Sequence, residues 1–159
     1  MQGQLEPTRL ERATMREVTD HACALAAEGK DIVFTAAIVM DGKVVARARN
    51  EAADTNDVSR HAEVVAIAKA TDALGKRDLT GATLVSSCQP CEMCLSTMRW
   101  ARIARVVFAA QQANTAPAFF RFPKLTILDF HAACEGAFDW YGGLDEDRVH
   151  HIYGQKKRS

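Results

Sequence analysis

Between Thr8 and Glu28 the apolar residues Leu10, Met15, Val18, Ala22 and Leu25 recur mostly at three- and four-residue steps, and Gly29 follows them. This is the period of an amphipathic helix with one buried stripe, and the glycine marks its end. The next pattern differs. Ile32 to Met40 is almost wholly apolar, Val44 to Ala48 is apolar too, and Asp41-Gly42 stands between them. Two such runs around Asp-Gly predict a β-hairpin whose first strand is central in its sheet. Asn50 to Ser59 is polar, with Asp54, Thr55, Asn56 and Asp57 as turn formers, and reads as a loop. An alanine-rich helix is expected over His61 to Leu74, closed by Gly75, then a short strand over Ala82 to Ser86. Pro90 opens a helix that runs to Ala101, and Arg105 to Ala109 forms another strand. Strand, helix and strand at these lengths imply a parallel crossover. The whole order predicts an α/β fold, a mixed sheet with helices on its faces. Beyond Gln111 the periodicity weakens: Asp129 to Phe138 suits a helix, while Phe119 to Phe122 and Trp140 to Leu144 show no regular spacing.

With 159 residues, 48% of them hydrophobic and 25% charged, the chain is expected to form a single soluble globular domain over residues 1–159. Twenty Lys and Arg balance twenty Asp and Glu. A zero net charge removes the electrostatic footprint of a protein built to ride on nucleic acid, and favours a small or uncharged partner. The first ten residues, with Glu6, Pro7 and Arg9, have no apolar stretch of a secretory signal. No apolar run approaches the ~20 residues of a membrane span, so a cytoplasmic location is expected. Five cysteines, three of them crowded at Cys88, Cys91 and Cys94, suit a metal better than a disulfide framework. Cys23 and Cys134 lie among apolar neighbours and read as buried thiols.

The chemistry gathers at His61-Ala62-Glu63 and Pro90-Cys91-Glu92-Met93-Cys94. Cysteines at i and i+3 in the first turn of a helix face one way, and the helix N-terminus favours their thiolates. His61 opens a second helix and reaches the same point if the two helices pack side by side. Two thiolates and a neutral imidazole form a three-ligand zinc site with its fourth position open to water, the arrangement of a catalytic site. Zinc brings the pKa of that water toward ~7. Glu63, two residues past the histidine, is then placed to take the water's proton and deliver it to a substrate ring nitrogen and a departing amino group. H-x-E with P-C-x-x-C is the signature of zinc nucleobase deaminases. A different reading adds Cys88 to give a closed Cys3His structural site without chemistry, a module that binds nucleic acid or protein. It leaves Glu63 without a role, and it draws a ligand from a strand end instead of the helical turn shared by Cys91 and Cys94.

At these residues the sequence resembles the cytidine-deaminase-like superfamily over roughly Asp31 to Asn114. Within it, the chain is similar to the nucleobase branch, above all the small bacterial guanine deaminases. The likeness rests on Asn50-Glu51, Asn56-Asp57, His61-Ala62-Glu63-Val64, Ser87-Cys88-Gln89-Pro90-Cys91 and Trp100-Ala101-Arg102. The resemblance implies a three-layer α/β/α fold with a five-stranded mixed sheet, one catalytic zinc per chain held by His61, Cys91 and Cys94, and a homodimer. It also implies that the Asn50 amide binds the polar edge of a heterocycle, that Ala62 offers its backbone, and that Phe34 and Trp100 pack on the base. An amide that both donates and accepts suits the first role.

The departures fall where substrate is chosen. Guanine deaminases carry acids after a phenylalanine beyond the last matched strand, where this chain reads Phe119-Phe120-Arg121-Phe122. Asp57-Val58-Ser59-Arg60 replaces the usual Asp-Pro-Thr-Ala, and the family's closing tail is not recognisable in Gly136 to Ser159. The aromatic segment is expected to be either a lid over the substrate or a dimer contact, and residues 111–159 are the divergent, specificity-setting part. A tRNA adenosine deaminase shares the zinc motif and Asn50, but Lys156-Lys157-Arg158 is the one basic run available for phosphates. Cytosine and other amino-heterocycles fit the neutral surface as well as guanine does. His131, His150 and His151 are expected on the surface or at helix caps.

Overall fold

The computed structural model describes residues 5–154, so the Lys156-Lys157-Arg158 run lies outside the described residues. Helix α1 (Arg9–Ala27) opens on a capping box: Thr8 accepts from the Glu11 N–H, and the Glu11 carboxylate accepts from the Thr8 N–H. Its stripe of Met15, Val18, Ala22 and Leu25 is buried as the spacing predicts. Strands β1 (Thr35–Met40) and β2 (Lys43–Arg49) form the hairpin. Asp41 and Gly42 both take positive φ, 52° and 74°, the twist a two-residue hairpin turn requires. After a single helical turn, α2 (Ala52–Thr55), come α3 (Ala62–Leu74), β3 (Thr83–Cys88), α4 (Glu92–Trp100) and β4 (Arg105–Ala110). The chain closes with α5 (Ile127–Ala133), β5 (Asp139–Gly142) and the short α6 (His150–Tyr153).

The sheet runs β2-β1-β3-β4-β5, antiparallel from β2 to β3 and parallel from β3 to β5. Because side chains alternate along a strand, each central strand feeds two cores. Ile38, Leu84, Val106 and Phe108 face α3 and α4, meeting Val65, Leu95 and Met98. Ala37, Val39, Val85 and Val107 face α1, meeting Met15, Val18 and Ala22. Burial on both faces explains why these strands read as continuous apolar runs. The expected three layers and five-stranded mixed sheet are present.

The structure departs from the sequence reading in detail. The polar loop contains α2, ended by Asn56 in a left-handed conformation. Helix α5 begins two residues before Asp129, because Thr126 and Asp129 form its capping box, and stops before Glu135 and Gly136, both at positive φ. Strand β5 is an edge strand of four residues, too short to show a period. Cys23 and Cys134 are half-buried, not interior. Cys23 sits on the flank of α1, where its thiol donates to the Arg148 carbonyl at 3.4 Å, and Cys134 caps the end of α5. Among the described residues no helix is long and apolar enough to cross a membrane.

Candidate active site

Two helix starts converge at the C-terminal end of β3. His61 is the N-cap of α3, in extended backbone and with its ring not used for capping. Cys91 is the N-cap of α4, and Cys94 lies three residues on in its first turn, fully buried. The Pro90 break between β3 and α4 turns the chain so that this helix start faces that of α3. The His61 Nδ1 atom lies 3.5 Å from the sulfur of Cys91 and 3.5 Å from that of Cys94, and the sulfurs are 3.6 Å apart. Tetrahedral zinc with ordinary bond lengths separates two sulfurs by about 3.8 Å and sulfur from nitrogen by about 3.6 Å. The triangle therefore fits zinc in both donor type and size, and it forms the one such cluster among the described residues. Cys88 is not part of it. Its sulfur lies 4.0 Å from the Thr115 hydroxyl, and burial pushes its thiol pKa up.

The electrostatics suit metal ligation. A hydrogen bond with Cys94, helped by His61, outweighs burial and brings the Cys91 thiol down to about 4. Cys94, sharing that hydrogen bond and buried, is pushed up, and the contact with Cys91 raises His61. One thiolate thus exists readily at neutral pH, and a divalent cation between the two sulfurs would displace the proton of the second.

Glu63 stands beside the triangle as the second residue of α3, 4% exposed. One carboxylate oxygen lies 2.7 Å from the Ser86 hydroxyl and the other 3.3 Å from the Cys94 sulfur. Burial raises its pKa above the usual carboxylate range. Ser86 was not singled out from sequence, although it shares a strand face with Cys88 through β3's alternation.

Above the triangle lies a cavity of about 30 Å³, lined by Phe34, Phe119 and Phe120 together with His61, Glu63 and Gln89. That space admits one or two waters but no heterocycle. Of the aromatic segment, Phe119 and Phe120 line the cavity, while Arg121 and Phe122 are exposed. Asn50 is buried and is not among the residues lining the cavity; its N–H donates to the Phe34 carbonyl and its side-chain oxygen accepts from the Ala52 N–H, both at 2.9 Å. Ala62 is the first residue of α3, where a backbone N–H has no partner within the helix. Trp100 is not brought to the cavity of its own chain. It ends α4, about 12 Å along the axis from the turn that carries the cysteines, and is 89% exposed.

Fold and site together define a class: a deaminase-type hydrolase with a His-Cys-Cys zinc centre set between two helix starts. The cytidine and deoxycytidylate deaminase zinc-binding region matches residues 9–110, and the chain belongs to that family. It is 33% identical over 150 residues to the tRNA-specific adenosine deaminase of Agrobacterium fabrum, covering 91% of this chain and 93% of that one. To the guanine deaminase of Bacillus subtilis it is 42% identical over 103 residues, 62% of this chain and 66% of that one. Among solved structures, a tRNA:A34 deaminase superposes with a TM-score of 0.73 at 32% identity, covering 88% of this chain and 98% of the other. The Bacillus subtilis guanine deaminase gives 0.59 at 34%, covering 80% and 69%.

Proposed function

We propose that this chain, with one zinc bound, deaminates a free nucleobase or related amino-heterocycle by hydrolysis, in the manner of a guanine deaminase. The supporting observation is the wall of Phe34, Phe119 and Phe120 over Glu63, with no Lys or Arg lining the cavity. Three aromatic rings with no Lys or Arg among the lining suit a flat uncharged ring. The arginines preceding Asn50 and His61 are already paired: Arg49 with Asp54 at 2.6 Å and Arg60 with Glu51 at 2.8 Å.

His61, Cys91 and Cys94 would hold the metal. When bound, zinc supplies the Lewis acidity that makes a water deprotonate near neutral pH. Glu63 takes that proton and passes it to a ring nitrogen as the oxygen adds to the amino-bearing carbon. It then takes the proton of the added hydroxyl and gives it to the amino group, so the C–N bond breaks, ammonia leaves and a carbonyl remains. Ser86 orients the carboxylate. The Asn50 Nδ2 group, with no protein acceptor among the described residues, is free to donate to the ring's polar edge, alongside the Ala62 N–H. Phe34 packs on the ring.

A homodimer in the cytoplasm completes this reading. Val58 and Trp100, 85% and 89% exposed, are the most exposed of the large apolar side chains and candidates for cover by a second copy, from which Trp100 would reach a base. The second reading, deamination of adenosine in tRNA, is favoured by the near full-length similarity to the Agrobacterium fabrum enzyme. An ammonia-release screen decides. Guanine, adenine, cytosine, isocytosine, their nucleosides and a tRNA transcript are offered to the zinc-loaded chain. Turnover of a free base supports the proposal, and activity on tRNA alone overturns it.

A further inference from the structure

Tyr153, in the last described turn, is 1% exposed and lies against the back of the cavity wall. Its ring is stacked on that of Phe34, with centroids 5.1 Å apart and planes at 4°. Phe119 stands edge-on to both, 5.3 Å from Phe34 and 6.3 Å from Tyr153. The hydroxyl of Tyr153 lies 2.8 Å from that of Ser87 and 3.0 Å from the Val33 carbonyl, and the Thr35 N–H donates to Ser87 at 3.0 Å.

The hydrogens in this chain have a single assignment. The Val33 carbonyl only accepts, so Tyr153 donates to it. Ser87 then donates to Tyr153 and accepts from Thr35. Every polar group is satisfied, and the chain runs in one direction, the arrangement in which hydrogen bonds reinforce one another. Its two ends, Val33 and Thr35, flank Phe34 in sequence. The Phe34 backbone is thereby held on both sides and its ring is held by stacking, while its own carbonyl accepts from the Asn50 N–H at 2.9 Å.

We infer that Tyr153 is a positioning residue for base binding, holding Phe34 as the fixed wall of the cavity and, through the Phe34 carbonyl, setting the place of Asn50. Phe119, 41% exposed, is the wall that moves. In this inference a ring larger than the present cavity enters by displacing that exposed side chain, while Phe34 stays in place. The Ala116 N–H donates to the Tyr153 carbonyl at 2.9 Å, so the same C-terminal turn anchors the start of that moving segment. None of these hydrogen bonds or ring stacks has His61, Cys91, Cys94 or Glu63 as a partner. The C-terminal turn therefore governs how tightly a ring is held and leaves the chemical step alone. This inference rests on the deaminase reading for its kinetic part and on geometry alone for the rest.

The test is Tyr153→Phe in the full zinc-loaded chain, with Ser87→Ala as a second break in the same chain of bonds. Tyr153→Phe keeps the stacked ring and removes the link to Val33, so neither folding nor metal binding should fail. For whichever base of the screen is turned over, KM should rise about tenfold, the value of one hydrogen bond, with kcat within about twofold and zinc content unchanged. Hydrogen exchange at the Thr35 and Asn50 amides should accelerate, while amides in α3 and α4 stay protected. Unchanged KM together with unchanged exchange at Thr35 and Asn50 would overturn the inference, as would a loss of kcat at constant KM. If the wild-type chain deaminates no base, the proposed function fails, and exchange at those two amides still decides the positioning role.

Discussion

The Ser86 hydroxyl lies 2.7 Å from the Glu63 carboxylate and 2.7 Å from the Cys88 carbonyl. One hydroxyl hydrogen cannot serve two acceptors, so Ser86 donates to one and faces the other with a lone pair. When Glu63 is an acid it donates to Ser86, which donates on to the Cys88 carbonyl; when Glu63 is an anion the hydroxyl hydrogen turns to the carboxylate and the Cys88 carbonyl loses it. Glu63→Gln keeps the shape and loses the proton transfer. It should retain zinc and fold, with ammonia release down by roughly 10²- to 10⁴-fold. Ser86→Ala should fall roughly tenfold, by one hydrogen bond's worth, at full zinc content. Wild-type turnover in Glu63→Gln would end the proposed mechanism.

The ligand triangle makes a prediction about metal content that does not involve activity. Replacing His61 by Ala, or Cys91 or Cys94 by Ser, should abolish stoichiometric zinc in the purified chain. Cys88→Ser should keep about one zinc per chain, because that sulfur is held at Thr115 and not at the triangle. Chelation should lower the Tm of the wild type, since a ligand bound only to the folded state stabilises it. Loss of zinc in Cys88→Ser would revive the closed structural site.

Much of this site was legible because its parts sit at helix starts. His61, Cys91 and Cys94 combine a local motif with a local element, and two helix starts flanking one strand end leave few ways to place them. The central strands were legible for a related reason: burial on both faces writes an unbroken apolar run into the sequence. What could not be read depends on contacts distant in sequence. The Tyr153 hydroxyl meets Ser87 and Val33 across more than sixty positions, and no spacing encodes that. Strand β5 pairs with β4 through only four residues on an edge, and Trp100 follows a helical period that says nothing about which partner lies beyond α4.

Phe119 should act on size selectivity more than on stability. It is 41% exposed and closes a cavity too small for any ring. Phe119→Ala removes that closure at a cost under about 1 kcal/mol, far below the price of truncating a buried phenylalanine. The wild type should prefer a free base over its nucleoside by kcat/KM, and the variant should narrow that preference about tenfold by losing contact with the smaller ligand. An unchanged ratio would place Phe119 outside the substrate's reach.

Far from the site, Glu11 joins the start of α1 to the sheet. Arg105 approaches it at 2.7 and 3.0 Å, Thr83 donates to it at 3.0 Å, and Arg105 also pairs with Asp139 on the neighbouring strand β5. Burial pushes the Glu11 pKa up, but the hydrogen bonds from Arg105, the Thr8 N–H and Thr83 outweigh it, so the net shift is downward. The sign of the pH effect follows. A carboxyl with a lowered folded-state pKa contributes its stability above the unfolded value near ~4.3 and loses it as pH falls through the folded value. Glu11→Gln leaves Arg105 largely buried and short of a partner, which should cost roughly 2–4 kcal/mol at pH 7 and lower Tm by several degrees. The gap between wild type and variant should shrink as pH is taken from 5 toward 3, because the wild type loses its charge there and the variant has none to lose. Thermal melts of both proteins across that range test this, and a gap that stays constant with pH would mean that Glu11 contributes shape and hydrogen bonding but no charge.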